Sequence, residues 1–516
     1  MTNAMDLDAF IREATAIVGQ DSLSSDSRHL ELLTSNSLAV PRNLSCHVRP
    51  ATSGQVKALV NLARGTGVPL YPISRGRNLG YGDRSPVTDG NVLLDLSMMR
   101  AIRNFDAELG NVEIEPGVSQ QDLYEFLQAQ KQPLWMDTTG AGKDASIIGN
   151  TLEGGFGHTP LGNHREEFAD AEVVLGTGDV IRTGVFPNLG PDVKGIFVQS
   201  NFGIVTAMRI PLMPIPEHFE SFVIKSHSKN SLPEIVNVLR RMRLEGIVRS
   251  CVHIANPMRY LISSKLCPPE YANTLLDDDD AIRIMSSPLL SVGQWSAAGG
   301  LYGLRKVVKA HKCALRRAFK GIATVQFFSS TTIDRLSAIF RTMSVVPIPF
   351  FRKVSESLES FRSILDMMMG IPTDEAYKNI LWRVSSLEDF GLIWFAPVVD
   401  AKGDMARRIV EIATPLYRSH GFEMPLTLTL VSPSRLVGIL SITFNKNNQE
   451  EKDRAHSLYQ ALYAAFSAAG IHTYRTSIMQ MADQNLMPPQ KRDFHNILKH
   501  ALDPQGIIAP GRYGMR

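Results

Sequence analysis

The sequence PISRGRNLGYGDRS occupies residues 72–85. This stretch predicts a strand that ends in a loop able to bind a phosphate group. It overlaps the end of an apolar run, VPLYPIS, that predicts a buried strand. Its glycines allow the backbone to approach a pyrophosphate and its arginines supply charge; they are Gly76, Gly80, Gly82, Arg75, Arg77 and Arg84. The spacing matches neither the Rossmann nor the P-loop fingerprint, which indicates a different nucleotide-binding fold.

A second glycine-rich stretch, GAGKDASIIGNTLEGGFGHTPLG, spans residues 140–162. One such loop alone is as typical of an ordinary turn as of a ligand site. Two loops at this separation can hold opposite sides of a dinucleotide, and the prediction of a dinucleotide site therefore rests on the pair.

The composition is that of an ordinary globular protein and argues against several functional classes. The 516 residues predict at least two domains, and 54 Lys+Arg against 51 Asp+Glu give a net charge of +3, which offers no electrostatic basis for nucleic-acid binding. Four cysteines without a CxxC pair predict neither a disulfide scaffold nor a metal site. The N-terminus lacks the apolar core of a signal peptide, and no stretch is long enough to span a bilayer. We therefore expect a cytoplasmic enzyme without membrane contact.

The first 217 residues mix strand and helix patterns in a way that predicts an α+β fold rather than a strictly parallel sheet. SGQVKALVNLARGTG (53–67) predicts a helix capped at Ser53, and QQDLYEFLQAQ (120–130) predicts another. AEVVLGTGDVIRTG (171–184) predicts a hairpin that turns at Thr177-Gly178-Asp179.

Three spaced prolines, Pro211, Pro214 and Pro216, mark a domain boundary. Residues 218–470 are poorer in glycine, and the glycine-rich character returns in 503–514. We predict a first domain over 1–217 with its core at about 42–217, a second domain over 218–470, and a C-terminal segment, 471–516, that returns to the first domain.

Five motifs in order carry a resemblance: PISRGRNLGYG, VEIEPGVSQQDLYEFL, IIGNTLEGGFGHTPLGNH, AEVVLGTGDVIRTG and FVQSNFGIVTAMRIPL. Further matches are LIWFAPVV, SITFNKNN, TYRTSIMQMADQ and ALDPQGIIAPGRYG. Together they resemble the vanillyl-alcohol oxidase and 4-cresol dehydrogenase family of flavoproteins. The resemblance implies a PCMH-type FAD-binding domain of two subdomains, and a cap domain with an antiparallel sheet flanked by helices that covers the flavin.

The resemblance also implies a catalytic trio. In this family two tyrosines and an arginine hold a substrate phenol as its phenolate, and the matching motifs place them at Tyr81, Tyr474 and Arg475. Such donors lower the pKa of a bound phenol and stabilise its oxyanion. Electron density from the phenolate then allows a benzylic hydride to leave for flavin N5, which gives a quinone methide.

Matched positions also imply the contacts to FAD. Either Arg475 or Arg512, the latter in the APGRYG motif, would support negative charge on the reduced flavin. The cofactor-binding positions carried over are Pro72, Ser74, Arg75, Gly76, Arg77, Asn78, Leu79, Gly80, Gly82, Pro116, Gly117, Gly149, Asn150, Gly157, His158, Gly203, Ile204, Val205 and Arg512. For His158, a structural role with satisfied hydrogen bonds is the alternative to a flavin contact.

Two departures from the family change these expectations. The catalytic aspartate of the family falls near Thr139 or Gly140, with Asp144 out of alignment, so no base for water addition to a quinone methide is identified. Desaturation and cyclisation therefore stay open as outcomes. The flavin-linking histidine of the oxidases falls at about Gly438, and residues 421–455 contain no histidine, so we predict non-covalent FAD.

The leading hypothesis is an FAD-dependent oxidation of a para-substituted phenol, a small aromatic substrate, with oxygen or an electron-acceptor protein as the oxidant. The first alternative is a natural-product tailoring flavin oxidase of the same fold that acts on a non-phenolic alcohol or a larger substrate. The second is a flavin-free interaction protein that kept the fold. The oligomers common in the family are compatible with a homodimer.

Overall fold

The computed structural model of the protein describes residues 6–184, 189–285, 292–329, 335, 362–374, 381–384 and 386–515. Its strands are β1 (Leu23–Ser24), β2 (Leu44–Val48), β3 (Leu70–Ile73), β4 (Asn91–Asp95), β5 (Ile102–Asp106), β6 (Asn111–Ile114), β7 (Leu134–Trp135), β8 (Asp170–Leu175), β9 (Val180–Arg182), β10 (Gly203–Pro211), β11 (Met213–Pro214), β12 (His218–Ser226), β13 (Val252–Ala255), β14 (Trp295–Gly303), β15 (Thr324–Phe328), β16 (Phe390–Phe395), β17 (Val398–Asp400), β18 (Leu426–Leu430) and β19 (Arg435–Asn445).

The helices lie between and after these strands. They are α1 (Leu7–Val18), α2 (Ser27–Thr34), α3 (Ser53–Thr66), α4 (Gln120–Gln130), α5 (Ile147–Leu152), α6 (His164–Glu167), α7 (Leu232–Leu244), α8 (Pro257–Ser264), α9 (Asp278–Met285), α10 (Arg305–Ala318), α11 (Gly403–Ser419), α12 (Gln449–Ala468) and α13 (Pro489–Leu502). Residues 362–368 are also helical. In the described ranges, no helix combines the length and apolarity needed to cross a membrane.

The first sheet has the order β1-β2-β4-β3, and its β2, β4 and β3 are parallel. Helix α3, which the apolar spacing of 53–67 predicted, makes the crossover from β2 to β3. Its N-cap is Thr52 rather than the predicted Ser53, because the Thr52 hydroxyl accepts the Gln55 amide at 3.2 Å. The helix ends at Gly67 with a φ of 70°. This crossover delivers the chain to the glycine-rich loop that follows β3.

The second sheet is antiparallel, with the order β5-β6-β10-β8-β9. The predicted hairpin is its β8–β9 pair, and α4 spans the predicted residues with Ser119 and Asp122 forming a capping box. Strand β5 was not predicted; it is an edge strand whose residues IRNFD are half-buried or exposed, with no alternation between the two. These two sheets and their helices form the α+β architecture that was predicted.

The third sheet has eight strands in the order β15-β12-β14-β13-β18-β19-β16, with β17 also paired to β19. One face packs on helices through fully buried Phe222, Ile254 and Leu428. The opposite face, which we call the inner face, carries His253, Thr429 and Val437 in register across β13, β18 and β19, and Trp394 opposite Ser441. The inner face is more polar, and it lies toward the first two sheets.

The C-terminal segment returns to the first sheet. Leu70 of β3 accepts from Ala509 and donates to Ile507, each at 2.7 Å. The buried Lys499 ammonium pairs with Asp503 at 2.6 Å and donates to the carbonyl oxygens of Asn201 and Ile508, each at 2.8 Å. Because a buried ammonium needs this full set of partners, the interaction fixes residues 503–515 beside the glycine-rich loop.

Candidate active site

The loop after β3 contains a row of free backbone donors. Within the part of the chain that the structure describes, the amides of residues 75–78 donate to no other protein group. Successive free amides with adjacent guanidinium groups form an anion site, which fits the pyrophosphate of FAD. Arg75 and Arg77 both reach Asp144, at 3.4 and 2.7 Å, and this ties the first loop to the second.

The two loops and β10 line a cleft of about 160 Å³. The predicted cofactor positions that line it are Pro72, Ser74, Arg75, Gly76, Arg77, Asn78, Gly149, Asn150, Gly203, Ile204, Val205 and Arg512, together with Arg475. The predicted positions Leu79, Gly80, Gly82, Pro116, Gly117, Gly157 and His158 do not line it. The cleft therefore collects residues from four distant parts of the sequence, as a dinucleotide site requires.

Gly80 and Gly82 were predicted to let a ligand approach the backbone. In the structure, protein side chains occupy the space beside both glycines. A Cβ on Gly80 would lie 2.2 Å from Cδ1 of Trp394, and one on Gly82 would lie 2.6 Å from Cγ2 of Ile478. Both residues have positive φ, 77° and 132°. These glycines let the tight turn around Tyr81 pack against the inner face and the C-terminal segment.

The predicted trio comes together although its members are far apart in sequence. The Arg475 Cζ lies 4.4 Å from the centroid of the Tyr81 ring, and Tyr474 is close enough to Tyr81 to affect its pKa. Burial first, and then Tyr474, raises the pKa of Tyr81 well above its usual value. Tyr81 therefore remains a proton donor throughout the physiological range.

The backbone around Tyr474 is held from two sides. The Tyr474 amide donates to Ala396 at 3.1 Å, and its carbonyl accepts from the side chain of Gln199 at 2.7 Å. The Phe156 ring packs against the Tyr474 ring, with centroids 5.7 Å apart. The tyrosine is thus positioned by the strand end of β16, by the loop before β10 and by the second glycine-rich loop.

Glu153 is a site residue that the sequence analysis missed. Its carboxylate lies 3.3 Å from Nε of Arg475, pairs with Arg512 and accepts from the hydroxyl of Tyr513 at 2.6 Å. Arg475 also donates to the Oδ1 of Asn78. We call Arg475, Arg512, Glu153 and Tyr513 the arginine–glutamate cluster; it holds two cations and one anion. A lone glutamate in TLEGG carries no motif that could have revealed it.

Backbone strain is concentrated near this cluster. Tyr513 has a φ of 51° and Gln199 one of 52°, in the left-handed region that non-glycine residues seldom adopt. Strain of this kind persists only where surrounding contacts hold it, and here Glu153 holds the Tyr513 hydroxyl. The C-terminal segment is therefore fixed in the orientation that presents Arg512 to the cleft.

His158, in the second glycine-rich loop, meets His253 on the inner face of the third sheet. Its Nδ1 lies 2.7 Å from Nε2 of His253, whose Nδ1 lies 3.1 Å from the Thr429 hydroxyl. Burial lowers the pKa of His158 to about 4 and that of His253 well below its usual value. Both rings are therefore neutral at pH 7. The His158 Nε2 lies 3.6 Å from where a Cβ on Gly140 would be.

Neither carboxylate of the segment 137–144 is free. Asp137 is buried, pairs with His164 at 3.1 Å and accepts the amide of Gly162 at 2.9 Å, while Asp144 is taken by Arg75 and Arg77 at the surface. The Asn150 Oδ1 lies 2.8 Å from Nδ1 of His164, so the predicted flavin contact at Asn150 also serves this internal network.

The position counted for a flavin-linking histidine falls on the other face of the third sheet. A Cβ on Gly438 would lie 3.2 Å from Pro397 and 3.4 Å from Ile409 of α11, toward the helices. The residues of β19 on the inner face there are Val437 and Ile439. Neither side chain has an atom that can bond to flavin, so non-covalent FAD stays a prediction.

Residues 44–184 match the family model described as an FAD binding domain. The flavoprotein subunit of 4-cresol dehydrogenase from Pseudomonas putida is 27% identical, over 98% of this chain and 95% of that protein. The 1'-carboxy-chondrochloren decarboxylase of Chondromyces crocatus is 26% identical, over 100% of this chain and 98% of that protein. The solved 4-ethylphenol oxidase of Gulosibacter chungangensis superimposes with a TM-score of 0.88 at 25% identity, over 100% and 99% of the chains.

The fold, the cleft with its free amides and the full-length relatives agree with one another. They establish FAD as the cofactor and oxidoreduction as the activity class. The chain is thus an FAD-dependent oxidoreductase with a PCMH-type fold, similar over its whole length to the flavoprotein subunit of 4-cresol dehydrogenase.

Proposed function

We propose that this protein oxidises a para-substituted phenol at its benzylic carbon. The observation that carries the proposal is the convergence of Tyr81, Tyr474 and Arg475, with Arg475 Cζ 4.4 Å from the Tyr81 ring. Two phenolic donors and one guanidinium beside a flavin cleft form an oxyanion site. Relatives that are named for 4-cresol and 4-ethylphenol support the choice of a phenol.

The trio acts by stabilising the phenolate form of the substrate. Hydrogen bonds from Tyr81 and Tyr474 and the charge of Arg475 lower the pKa of a bound phenol, and burial strengthens each of these interactions. The phenolate pushes electron density to the para position, so a benzylic hydride leaves and the substrate becomes a quinone methide. Bound FAD supplies the hydride acceptor, at N5 of the flavin.

The arginine–glutamate cluster supports the cofactor side of the reaction. Arg475 and Arg512 carry two positive charges against the single charge of Glu153. The surplus charge favours an electron-rich flavin close by. The free amides of residues 75–78, the segment 203–205 and Arg512 would hold FAD.

His158 is our candidate base for the step after the quinone methide. Its ring lies beside Gly140, where the resemblance places a catalytic aspartate, and its Nε2 has no hydrogen-bond partner among the described residues. A neutral imidazole can take a proton from water and pass charge toward His253. With this base, hydroxylation of the quinone methide becomes an available outcome beside desaturation.

A second candidate function is the conversion of a larger, carboxylated substrate on the same fold. The relative named as a decarboxylase is as similar to this chain as the cresol dehydrogenase subunit is, 26% against 27%, and it covers the chain completely. This candidate predicts release of CO2 with flavin reduction. Benzylic oxidation of a simple alkylphenol releases none.

The test is an anaerobic titration of the holoprotein with 4-alkylphenols, with flavin bleaching as the readout. We expect bleaching in the wild type and a rate about 10- to 100-fold lower in Tyr474→Phe, which loses one oxyanion donor. Tyr271→Phe, a cap-domain change, is the matched control. No bleaching by any phenol would overturn the proposal. Readmitted air then separates oxygen from a protein as the electron acceptor.

A further inference from the structure

One arginine on the inner side of the cap domain lies outside the machinery described so far. Arg259 stands in α8, directly after β13. Asn256 caps this helix by accepting the Arg259 amide at 3.1 Å, and it also donates to Met424 at 2.9 Å. Met258, Leu261 and Ile262 are buried in an apolar cluster on the other side of the helix. Arg259 is therefore carried by a rigid element.

Among the described residues, the charge of Arg259 has no counter-ion, and its recorded contact is with the ring of Trp394. Within the ranges that the structure describes, its guanidinium forms neither a hydrogen bond nor an ion pair. Protein surrounds the side chain, and burial lowers the pKa of Arg259. The residue nevertheless keeps part of its surface accessible, so a ligand can reach it. Arg383 of the same domain shows the usual arrangement, because it pairs with Glu423.

Arg259 is connected to the phenol site through a single side chain. Its Cζ lies 5.8 Å from the centroid of the Trp394 ring. Cδ1 of the same indole lies 2.2 Å from where a Cβ on Gly80 would be, beside Tyr81. The positive charge also acts on His253, whose pKa it helps to lower. The guanidinium thus lies next to Trp394, which packs on the turn at Tyr81, and near enough to His253 to act on its charge.

A buried guanidinium without a counter-ion is costly, and a bound anion removes that cost. We propose that Arg259 binds a carboxylate on the para substituent of the substrate, which makes the substrate a 4-hydroxyphenyl carboxylic acid. This inference rests on the proposed function for the phenol end. A carboxylate fits because its single charge matches one guanidinium and its two oxygens match the planar N–H fork.

The experiment compares 3-(4-hydroxyphenyl)propionate with its methyl ester on the holoprotein. Binding is measured from the change in flavin absorbance and, independently, by calorimetry. We expect the acid to bind about 10- to 100-fold more tightly than the ester, the range for a buried charge-assisted pair. In Arg259→Met this preference disappears while ester binding is unchanged, and Arg259→Lys retains part of it. Arg418→Met, at an exposed cap arginine, is the control.

Each alternative result has a defined meaning. Equal binding of acid and ester by the wild type overturns the carboxylate site, even if Arg259→Met fails to fold. Equal weakening of both ligands in Arg259→Met, or loss of its FAD, also overturns the site, because Arg259 would then serve the structure or the cofactor. Acid preference without any flavin bleaching supports the carboxylate site and overturns only the proposed benzylic oxidation.

Discussion

The two sides of the proposed active site differ in whether their charged side chains are paired. On the side of the C-terminal segment, Arg475 and Arg512 share Glu153. On the side where the third sheet meets the second glycine-rich loop, His253 and His158 are neutral, and Arg259 has no counter-ion among the described residues. A cluster in which the charges are already paired needs no ligand to balance them, and it produces a constant electrostatic field at the site. An unpaired cation is completed only by a ligand, so the cap side is where selection among substrates is expected.

The largest expected effect is the loss of Arg475. Arg475→Met removes the proposed oxyanion stabiliser, and we expect flavin reduction by 4-ethylphenol to slow by about 10³-fold under anaerobic stopped flow. Arg407→Met, an exposed cap variant, should match the wild type. A reduction rate within threefold of the wild type in Arg475→Met would remove this arginine from the chemistry and break the comparison.

Neutralising Glu153 tests the pairing itself. Glu153→Gln leaves two buried cations without their anion, and we expect the free energy of unfolding of the holoprotein to fall by about 3 kcal/mol. Glu411→Gln is the matched control, since Glu411 also contacts two arginines, Arg407 and Arg408, but at the surface. Its expected loss is about 0.5 kcal/mol. Equal losses in urea titrations would contradict a special role for the buried cluster.

The histidine pair predicts how stability depends on pH. The pKa of His158 is lowered from 6.5 to about 4, so the unfolded chain binds more protons between these values and stability falls as pH drops from about 6.5 toward 4. The contribution lost by pH 5 is about 2 kcal/mol, and His253 acts in the same direction. Unfolding free energies at pH 5 and 7 measure it.

The variant His158→Gln should flatten this pH dependence, whereas His227→Gln, at an exposed histidine, should not. An unchanged slope in His158→Gln would mean that the cap side carries no neutral imidazole pair. The histidines would then be charged in the folded protein, as the members of the arginine–glutamate cluster are.

The smallest expected effect concerns the pair that joins the two glycine-rich loops. Arg77 and Asp144 are each 55% exposed, so water competes with their attraction. Arg77→Met should change the free energy of unfolding by less than about 1 kcal/mol. A larger loss of unfolding free energy, measured by thermal unfolding of the holoprotein, would show that the loops depend on this pair. Paired charges would then contribute as much to stability at the surface as in the interior.

Local patterns predicted much of the fold. Helix α4 spans the predicted residues, and the β8–β9 hairpin formed around its turn, because capping, helical spacing and turn residues act within a few positions. The edge strand β5 was missed because exposure removes the alternation on which strand prediction depends. Thr52 replaced Ser53 as the cap of α3 for an equally local reason, since either hydroxyl suits that position.

The sequence by itself determined the two glycine-rich loops, the alternation of elements and, through its motifs, the FAD-binding family and the positions of Tyr81, Tyr474 and Arg475. Only the tertiary structure decided which charges are paired. Glu153 and Arg512 are 359 residues apart, and the histidines of the cap-side pair are 95 apart. Such contacts arise from how the sheets and the C-terminal segment pack, so no spacing along the chain reports them. For the same reason, only the packing of the described residues shows that Arg259 lies over Trp394 without a counter-ion among them.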